Sequence, residues 1–177
     1  MKSIAQSIVG DKIISIWLFD KEIYWNMPTD AQEIFIINIS MALHKMIKII
    51  SFSLVGKGNL CFMGNEFGHP EWVDFPRPGK GFSYVHCCRR WDLCDNGYLR
   101  YKYLYNWDIA TNRLDEVFYY ISSPFHYVST QHEKDKVIVF EKGELLLVFN
   151  FHPTNSFENY IIGTKWGTEH RIILDRR

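Results

Sequence analysis

The chain has 177 residues, of which 47% are hydrophobic and 16% aromatic. This length and composition suit one domain, or a domain and a piece, with a real core, and they argue against a disordered chain. Twenty basic residues balance twenty acidic ones, and no basic run exceeds a couple of residues. The sequence therefore lacks the positive patch of a nucleic-acid-binding protein, and we expect a neutral partner.

The N-terminal segment and the cysteines indicate the cellular compartment in which we expect the protein. The apolar stretch of MKSIAQSIVGDK is broken by Gln6 and Gly10 and has no small-residue cleavage signal after it. No apolar run approaches the length of a membrane span, so we expect no membrane partner. Four cysteines form no C-x-x-C pair, and adjacent cysteines make a poor disulfide framework, so free thiols in a reducing compartment are predicted for Cys61, Cys87, Cys88 and Cys94. We expect a cytoplasmic protein, with a plastid location left open if a longer gene encodes a transit peptide.

An α/β pattern comes first along the chain. Apolar residues recur at helical spacing over residues 39–50, with His44, Lys45 and Lys48 largely off that face, which predicts a helix. A glycine loop follows, and then residues 60–63, LCFM, form a short apolar run typical of a buried strand. A polar loop comes directly after this run. In α/β sheets ligands bind at such loops, because the carboxyl ends of the strands meet there.

The second half changes from helix to strand. Asp95 and Asn96 offer an N-cap, and residues 98–117 carry aromatic and aliphatic residues at helical spacing, which predicts a longer helix. Two β-rich runs, 136–141 and 144–149, are joined by a tight turn at Lys142 and Gly143. Further strand-like runs occupy residues 159–162 and 170–174. The fold class is therefore α/β followed by all-β.

The loop of residues 64–78 concentrates acidic side chains. Glu66, Glu71 and Asp74 could supply the two carboxylates of a glycoside hydrolase, with Trp72 stacking on a sugar. Those carboxylates must lie about 5 to 10 Å apart on opposite sides of the scissile bond, whereas neighbours on one loop more often lie on the same side. We favour the alternative, an acidic loop whose carboxylates cap a helix, bind Arg77 or face water.

Other candidate sites also have simpler explanations. His69 and His86 with Glu66 or Glu71 could bind a metal, but the spacing fits no metal motif, and we expect no metal and no cofactor. Cys87 and Cys88 precede the segment 89–92, RRWD, which could make a thiol reactive, although a packed helix edge with solvated arginines is the commoner explanation. Aromatic residues on the long helix, with Tyr119 and Tyr120, could bind sugar but are more typical of a core.

The nine residues GNEFGHPEW, at positions 64–72, resemble a motif of the 1,4-α-glucan branching enzymes of the α-amylase superfamily. Further segments resemble the same family in the same order along essentially the whole chain: residues 9–12, 42–47, 74–77, 99–102, 112–114 and 148–153. The resemblance implies that residues 1–119 are the C-terminal portion of a catalytic (β/α)₈ barrel, with residues 60–63 as its eighth strand. Residues 120–177 would be the first strands of an incomplete C-terminal β-sandwich domain.

The resemblance also implies a reaction. The family cleaves α-1,4 bonds and forms α-1,6 bonds in glycogen or starch, with retention, through a glycosyl-enzyme intermediate; the partner would be an α-glucan. The family's nucleophile and acid/base belong to barrel strands upstream of this sequence, and its stabilising His-Asp pair falls at Ile4 and Ala5, which carry no polar group. The resemblance therefore implies no catalytic residue here, and it assigns the wall of the substrate site to Asn65, Glu66, His69, Glu71 and Trp72.

Further departures from the family concern stability. Ser53 and Val55 stand where the family has glycines, and a β-branched residue where φ must be positive would strain the loop. Cys61 stands at an asparagine position, and Ile39 and Ser40 at an Arg-Gly pair. Three hypotheses remain: a branching-enzyme fragment that does not catalyse alone, a non-catalytic glucan-binding or partner-binding module, and a truncated product that does not fold stably.

Overall fold

Two long helices lie at the centre of the molecule in a computed structural model that describes residues 8–9, 12–13, 18–30, 35–54, 60–70, 74–167 and 169–176. Helix α1 is Phe35–Leu54 and helix α3 is Tyr101–Phe118, with a short helix α2, Trp91–Asp95, before α3. Two short 3₁₀ helices span Asp20–Tyr24 and Pro78–Lys80. Strands β1, Ile8–Val9, and β2, Lys12–Ile13, pair antiparallel.

A three-stranded antiparallel sheet follows the helices. Strand β3 is His126–His132, β4 is Val137–Lys142 and β5 is Leu145–Asn150, in the order β3-β4-β5. The predicted hairpin is confirmed, but its turn consists of Gly143 and Glu144 and not of Lys142 and Gly143, because Lys142 pairs with Leu145. Gly143 has φ +59° and Glu144 has no positive φ, which fits a type II′ turn and its demand for glycine first.

The buried face of α1 differs from the predicted one. The helix itself is confirmed and extends beyond residues 39–50, but His44 and Lys48, placed off the buried face by the sequence, are 4% and 8% exposed. Of the predicted core face only Met46 is buried, and the rest are half-buried. Both sides of α1 are apolar, so helical spacing could not tell which side packs against α3.

Contrary to the expectation from the sequence, helix α1 has the length and composition of a membrane span. Its 20 residues have a mean hydropathy of 1.4, enough by length and composition to cross a membrane, yet half of that window is buried inside the protein. Two serines on it bond to backbone carbonyls: Ser40 Oγ donates to Leu18 O at 2.6 Å and Ser53 Oγ to Ile49 O at 2.7 Å. Packing and polar contacts of this kind are those of a core helix.

The helices and the sheet share two hydrophobic clusters. The first joins the residues before α1 to the N-terminal halves of α1 and α3, and contains Phe19, Ile23, Met27, Ile37, Met41, Phe67, Cys94, Tyr101 and Leu104. The second joins the C-terminal half of α1 and Trp107 of α3 to β4 and β5, and contains Met46, Ile49, Trp107, Tyr120, Phe140, Leu145, Leu147 and Phe149. Both long helices therefore contribute to both clusters.

Several predicted elements are corrected. Residues 60–63 are irregular and then enter a turn, and 159–162 and 170–174 are irregular too. A strand requires a hydrogen-bonded neighbour, and in the described part of the chain none of these three segments is paired with one. All strand pairs described are antiparallel, so the barrel portion stays a prediction.

The start of α3 is also corrected. The helix begins at Tyr101, and its N-cap, Arg100, makes no side-chain cap bond. Asn96 Oδ1 instead accepts the N–H of Tyr98 at 2.9 Å, a local turn that competes with capping. Ser53, expected at a glycine position, lies in α1 without positive φ, while Val55 falls outside the described residues.

Candidate functional site

The loop of residues 60–70 is held by backbone hydrogen bonds around Gly64. The carbonyl of Gly64 accepts the N–H of Phe67 at 3.3 Å and that of His69 at 2.8 Å. Gly64 has φ +91°, and a Cβ added there would lie 2.4 Å from the Cβ of His69. Glycine is therefore required at this position both by backbone conformation and by the close approach of His69.

Phe67 anchors the loop to the helices. Its side chain is fully buried, and its ring centroid lies 5.2 Å from that of Trp91 on α2 and 6.5 Å from that of Tyr101 on α3. The His69 ring contacts it edge-on at 5.8 Å and is itself only 5% exposed. The loop is thus fixed from beneath, and its position depends on aromatic packing.

Glu66 is paired with a cation that the sequence did not assign to it. Arg89 Nε lies 3.0 Å from Glu66 Oε1, and the two side chains are 33% and 12% exposed, respectively. The Arg89 guanidinium also lies over the Trp91 ring, 5.5 Å from its centroid. The prediction of solvated arginines is therefore wrong for Arg89, and holds for Arg90, whose exposed side chain pairs with Asp92 at 2.6 Å.

A cavity of about 420 Å³ opens beside this ion pair. It is lined by Phe52, Cys61, Glu66, Arg89, Asp108, Asn112 and Ile121. A second ion pair, Lys48 with Asp108, joins α1 to α3 at this place. The cavity lining therefore includes two carboxylates, and each is paired with a cation: Glu66 with Arg89, and Asp108 with Lys48.

The Cys61 thiol in this cavity stays protonated, because burial raises its pKa. Burial likewise raises the pKa of Cys94 to about 11. All four cysteines are free, as predicted. Cys87 is half-buried and Cys88 exposed, and the Cys88 thiol makes a weak contact with the Tyr84 carbonyl at 3.9 Å.

Asp74 is engaged by a different set of groups. Its carboxylate forms ion pairs with Lys80 and with Arg77 at 3.4 Å, and its N–H donates to His86 O at 2.9 Å. The hydrogen bond from Lys80 holds the pKa of the Asp74 carboxyl below its usual value. The interpretation that this loop's acidic residues bind Arg77 is therefore confirmed for Asp74.

The other residues that the sequence singled out either belong to the core or lie outside the residues that the structure describes. Tyr120 is fully buried, and burial raises its pKa, so it belongs to the core as predicted; Tyr119, 69% exposed, does not. No group of three or more metal-ligating side chains is found within the described ranges. Ile4, Ala5, Glu71 and Trp72 lie outside the residues that the structure describes.

The Glu66–Arg89 pair is the site feature that the sequence did not reveal. Twenty-three positions separate the two residues, and no periodic pattern connects a loop after Gly64 with a segment before α2. The one available signal was the aromatic residue two positions after Arg89, because arginines often stack on tryptophan.

Comparison with known proteins relates the chain to one family. Residues 127–177 match the family described as alpha amylase, C-terminal all-beta domain. The 1,4-alpha-glucan-branching enzyme of Dictyostelium discoideum is 55% identical over 90% of this chain and 24% of its own length. That of Debaryomyces hansenii is 50% identical over 96% of this chain and 24% of its own. The chloroplastic/amyloplastic 1,4-alpha-glucan-branching enzyme of Oryza sativa subsp. japonica is 51% identical over 96% of this chain and 21% of its own length. The chain thus spans about a quarter of the length of these relatives.

Proposed function

Because the chain is related to the 1,4-alpha-glucan-branching enzymes along nearly all of its length, we propose that it is a segment of such an enzyme and does not catalyse branching alone. The observation that carries the proposal is the identity of 46–55% over 90–96% of the chain. The activity, cleavage of an α-1,4 bond and formation of an α-1,6 bond in glycogen or starch, would belong to the longer protein.

The loop of residues 60–70 supports a place for the segment in the glucan site. Asn65, Glu66 and His69, with Glu71 and Trp72, would form one wall of that site. Glu66 faces the cavity and is oriented by Arg89, which suits a carboxylate that accepts hydrogen bonds from sugar hydroxyls. His69 is buried, so its part is to hold the loop.

The domain division and location complete the proposal. Residues 1–119 would be the C-terminal portion of the barrel and 120–177 part of the all-β domain, a division supported by the sheet of residues 126–150, which overlaps the matched residues 127–177. Four free thiols support a reducing compartment such as the cytoplasm, with a plastid as the alternative.

Lack of activity in the isolated chain follows from Ile4 and Ala5. The family's third acidic residue stabilises the distorted sugar, and neither an isoleucine nor an alanine can do so. Purified chain incubated with amylose should therefore leave iodine staining unchanged and form no α-1,6 bonds. Branching at enzyme-like rates would refute the proposal.

A chimera tests the same proposal with the rest of the enzyme present. In this chimera, residues 18–177 of this chain replace their counterpart in the Dictyostelium discoideum enzyme. We expect the chimera to retain branching activity. Extending the replacement through Ile4 and Ala5 should abolish activity, and Ile4→His with Ala5→Asp should restore it. An inactive but folded first chimera would contradict the assignment to this family's function.

A non-catalytic glucan-binding module is the second candidate. It is favoured by the aromatic side chains that the described part of the chain exposes, among them Trp25 and Tyr98. Co-sedimentation of the chain with glycogen, in the absence of any branching, distinguishes this module from a segment with no independent role.

A further inference from the structure

Four aromatic side chains are exposed on two segments, residues 24–25 and 98–103, and the first of them contacts the candidate loop. Trp25 is 77% exposed and Tyr98 78%, while Tyr24 and Tyr103 are 49% and 43% exposed. We call these four residues the aromatic patch. Single exposed apolar residues are common, but large aromatic side chains grouped on adjoining segments are typical of a binding surface.

Backbone hydrogen bonds hold the segments of the patch together. Thr29 N–H donates to Tyr98 O and Arg100 N–H to Met27 O, both at 2.8 Å, and Pro28 forms a β-bridge with Leu99. The Arg100 side chain adds a bond from Nε to Pro28 O at 3.2 Å. The segment bearing Trp25 therefore runs alongside the segment bearing Tyr98 on a fixed frame.

The aromatic patch adjoins the loop of residues 60–70. Tyr24 donates its hydroxyl to Pro70 O at 3.3 Å, at the end of the loop that carries Glu66. From Trp25 to Thr29, which is bonded to Tyr98, the backbone covers at most roughly 14 Å. The end of the loop is therefore bonded to Tyr24, next to Trp25, and the backbone after Trp25 is bonded to Tyr98.

The chemistry of the aromatic patch fits a sugar chain. All four members are aromatic, with a flat apolar face and a hydroxyl or indole N–H at the edge. A pyranose ring presents the matching surface, a face of C–H groups with hydroxyls around it. Nearby charges have both signs, with Lys21 and Lys102 against Asp20 and Asp30, which suits a neutral ligand.

We infer that the aromatic patch binds an α-glucan chain and extends the proposed sugar site away from the loop. The identity of the ligand as an α-glucan rests on the proposed function, whereas the position of the binding surface rests on the structure. Trp25 and Tyr98 are binding residues in this inference, and they take no part in bond cleavage.

Glycogen co-sedimentation with single variants tests the inference. Trp25→Ala and Tyr98→Ala should each weaken retention of the full chain about five- to tenfold, because each removes one stacking surface. Trp25→Tyr should retain most of the binding, and Tyr84→Ala is the matched control, since Tyr84 is 70% exposed on another loop. Thermal unfolding of each variant checks that the fold is intact.

Three outcomes would overturn the inference. The first is a wild-type chain that glycogen does not retain. The second is retention that Trp25→Ala and Tyr98→Ala leave unchanged. The third is a wild-type chain that self-associates in size-exclusion chromatography and becomes monomeric on Trp25→Ala, which would assign the patch to a second copy.

The chimera separates this inference from the proposed function. In an active chimera, Trp25→Ala should raise KM for amylose about five- to tenfold with little change in kcat. An active chimera with unchanged KM overturns the role of the patch alone. An inactive but folded chimera contradicts the proposed function and not the role of the patch. In that case, retention of the isolated chain on glycogen still decides whether the aromatic patch binds a glucan.

Discussion

His44 is a buried histidine that the fold keeps neutral. It lies on α1 with 4% exposure, and its Nδ1 makes no hydrogen bond to the described residues. Burial, followed by the positive charges of Lys48 and Lys45, lowers its pKa from 6.5 to about 3. Because the unfolded chain binds a proton near pH 6.5 and the folded chain only near pH 3, acid favours unfolding between these values.

We therefore predict that the free energy of unfolding decreases as the pH falls from 6.5 towards 3, by an amount on the order of a few kcal/mol. Urea unfolding at pH 7.5, 6.0 and 5.0 measures this. His44→Gln should flatten the pH dependence, whereas His132→Gln, at a side chain 49% exposed, should leave it largely unchanged. An equal slope in His44→Gln and the wild type would contradict the prediction.

Gly64 is the backbone position on which the candidate loop depends. Gly64→Ala should destabilise the chain by about 1–3 kcal/mol, since the new Cβ combines positive φ with a 2.4 Å contact to His69. The midpoint of thermal unfolding measures the loss. Gly79→Ala, where a Cβ would meet nothing within 4 Å, is the control. Equal midpoints for the two variants would show that the loop adapts to the added methyl group.

At the scale of elements, the sequence predicts what local pattern determines. The hairpin of β4 and β5 and both long helices follow from spacing and from Gly143, and the structure confirms them. Residues 60–63 and the start of α3 were predicted wrongly, because a strand depends on a partner and a cap on competing local bonds. The buried face of α1 was missed because its apolar residues surround the helix.

The candidate site shows the same division. GNEFGHPEW was found from sequence because a short motif is local. The Glu66–Arg89 ion pair was not, since it depends on how Phe67 and Arg89 meet around Trp91. The structure thus adds the partner of Glu66 to the positions that the motif supplied.

The ion pair between Lys48 and Asp108 connects α1 to α3, and its side chains are 6% and 13% exposed. Removing one charge leaves the other buried and unpaired, so Lys48→Met and Asp108→Leu should each destabilise the chain by about 3–5 kcal/mol. The double variant should be more stable than either single one, because no buried charge remains. Urea unfolding in a double-mutant cycle measures the coupling, and strictly additive losses would contradict it.

At the scale of the whole molecule, the two hydrophobic clusters share α1 and α3. Met41 and Leu104 lie in the first cluster, and Ile49 and Trp107, on the same two helices, lie in the second. If the packing of α1 against α3 is lost in the first cluster, the sheet, which packs against the same two helices in the second cluster, loses support. We therefore predict that the helices and the sheet unfold as a single cooperative unit.

Leu104→Ala provides the test, because Leu104 is 1% exposed in the first cluster and does not belong to the one that contains the sheet. The substitution should lower the free energy of unfolding by about 2–5 kcal/mol. If the sheet opens only together with the helices, hydrogen exchange of the β4 amides should accelerate by the factor that corresponds to this loss of free energy. Val148→Ala, at a position 53% exposed on β5, should change exchange little. Unchanged protection of β4 in Leu104→Ala would mean that the sheet folds independently of the helices, as a separate all-β unit.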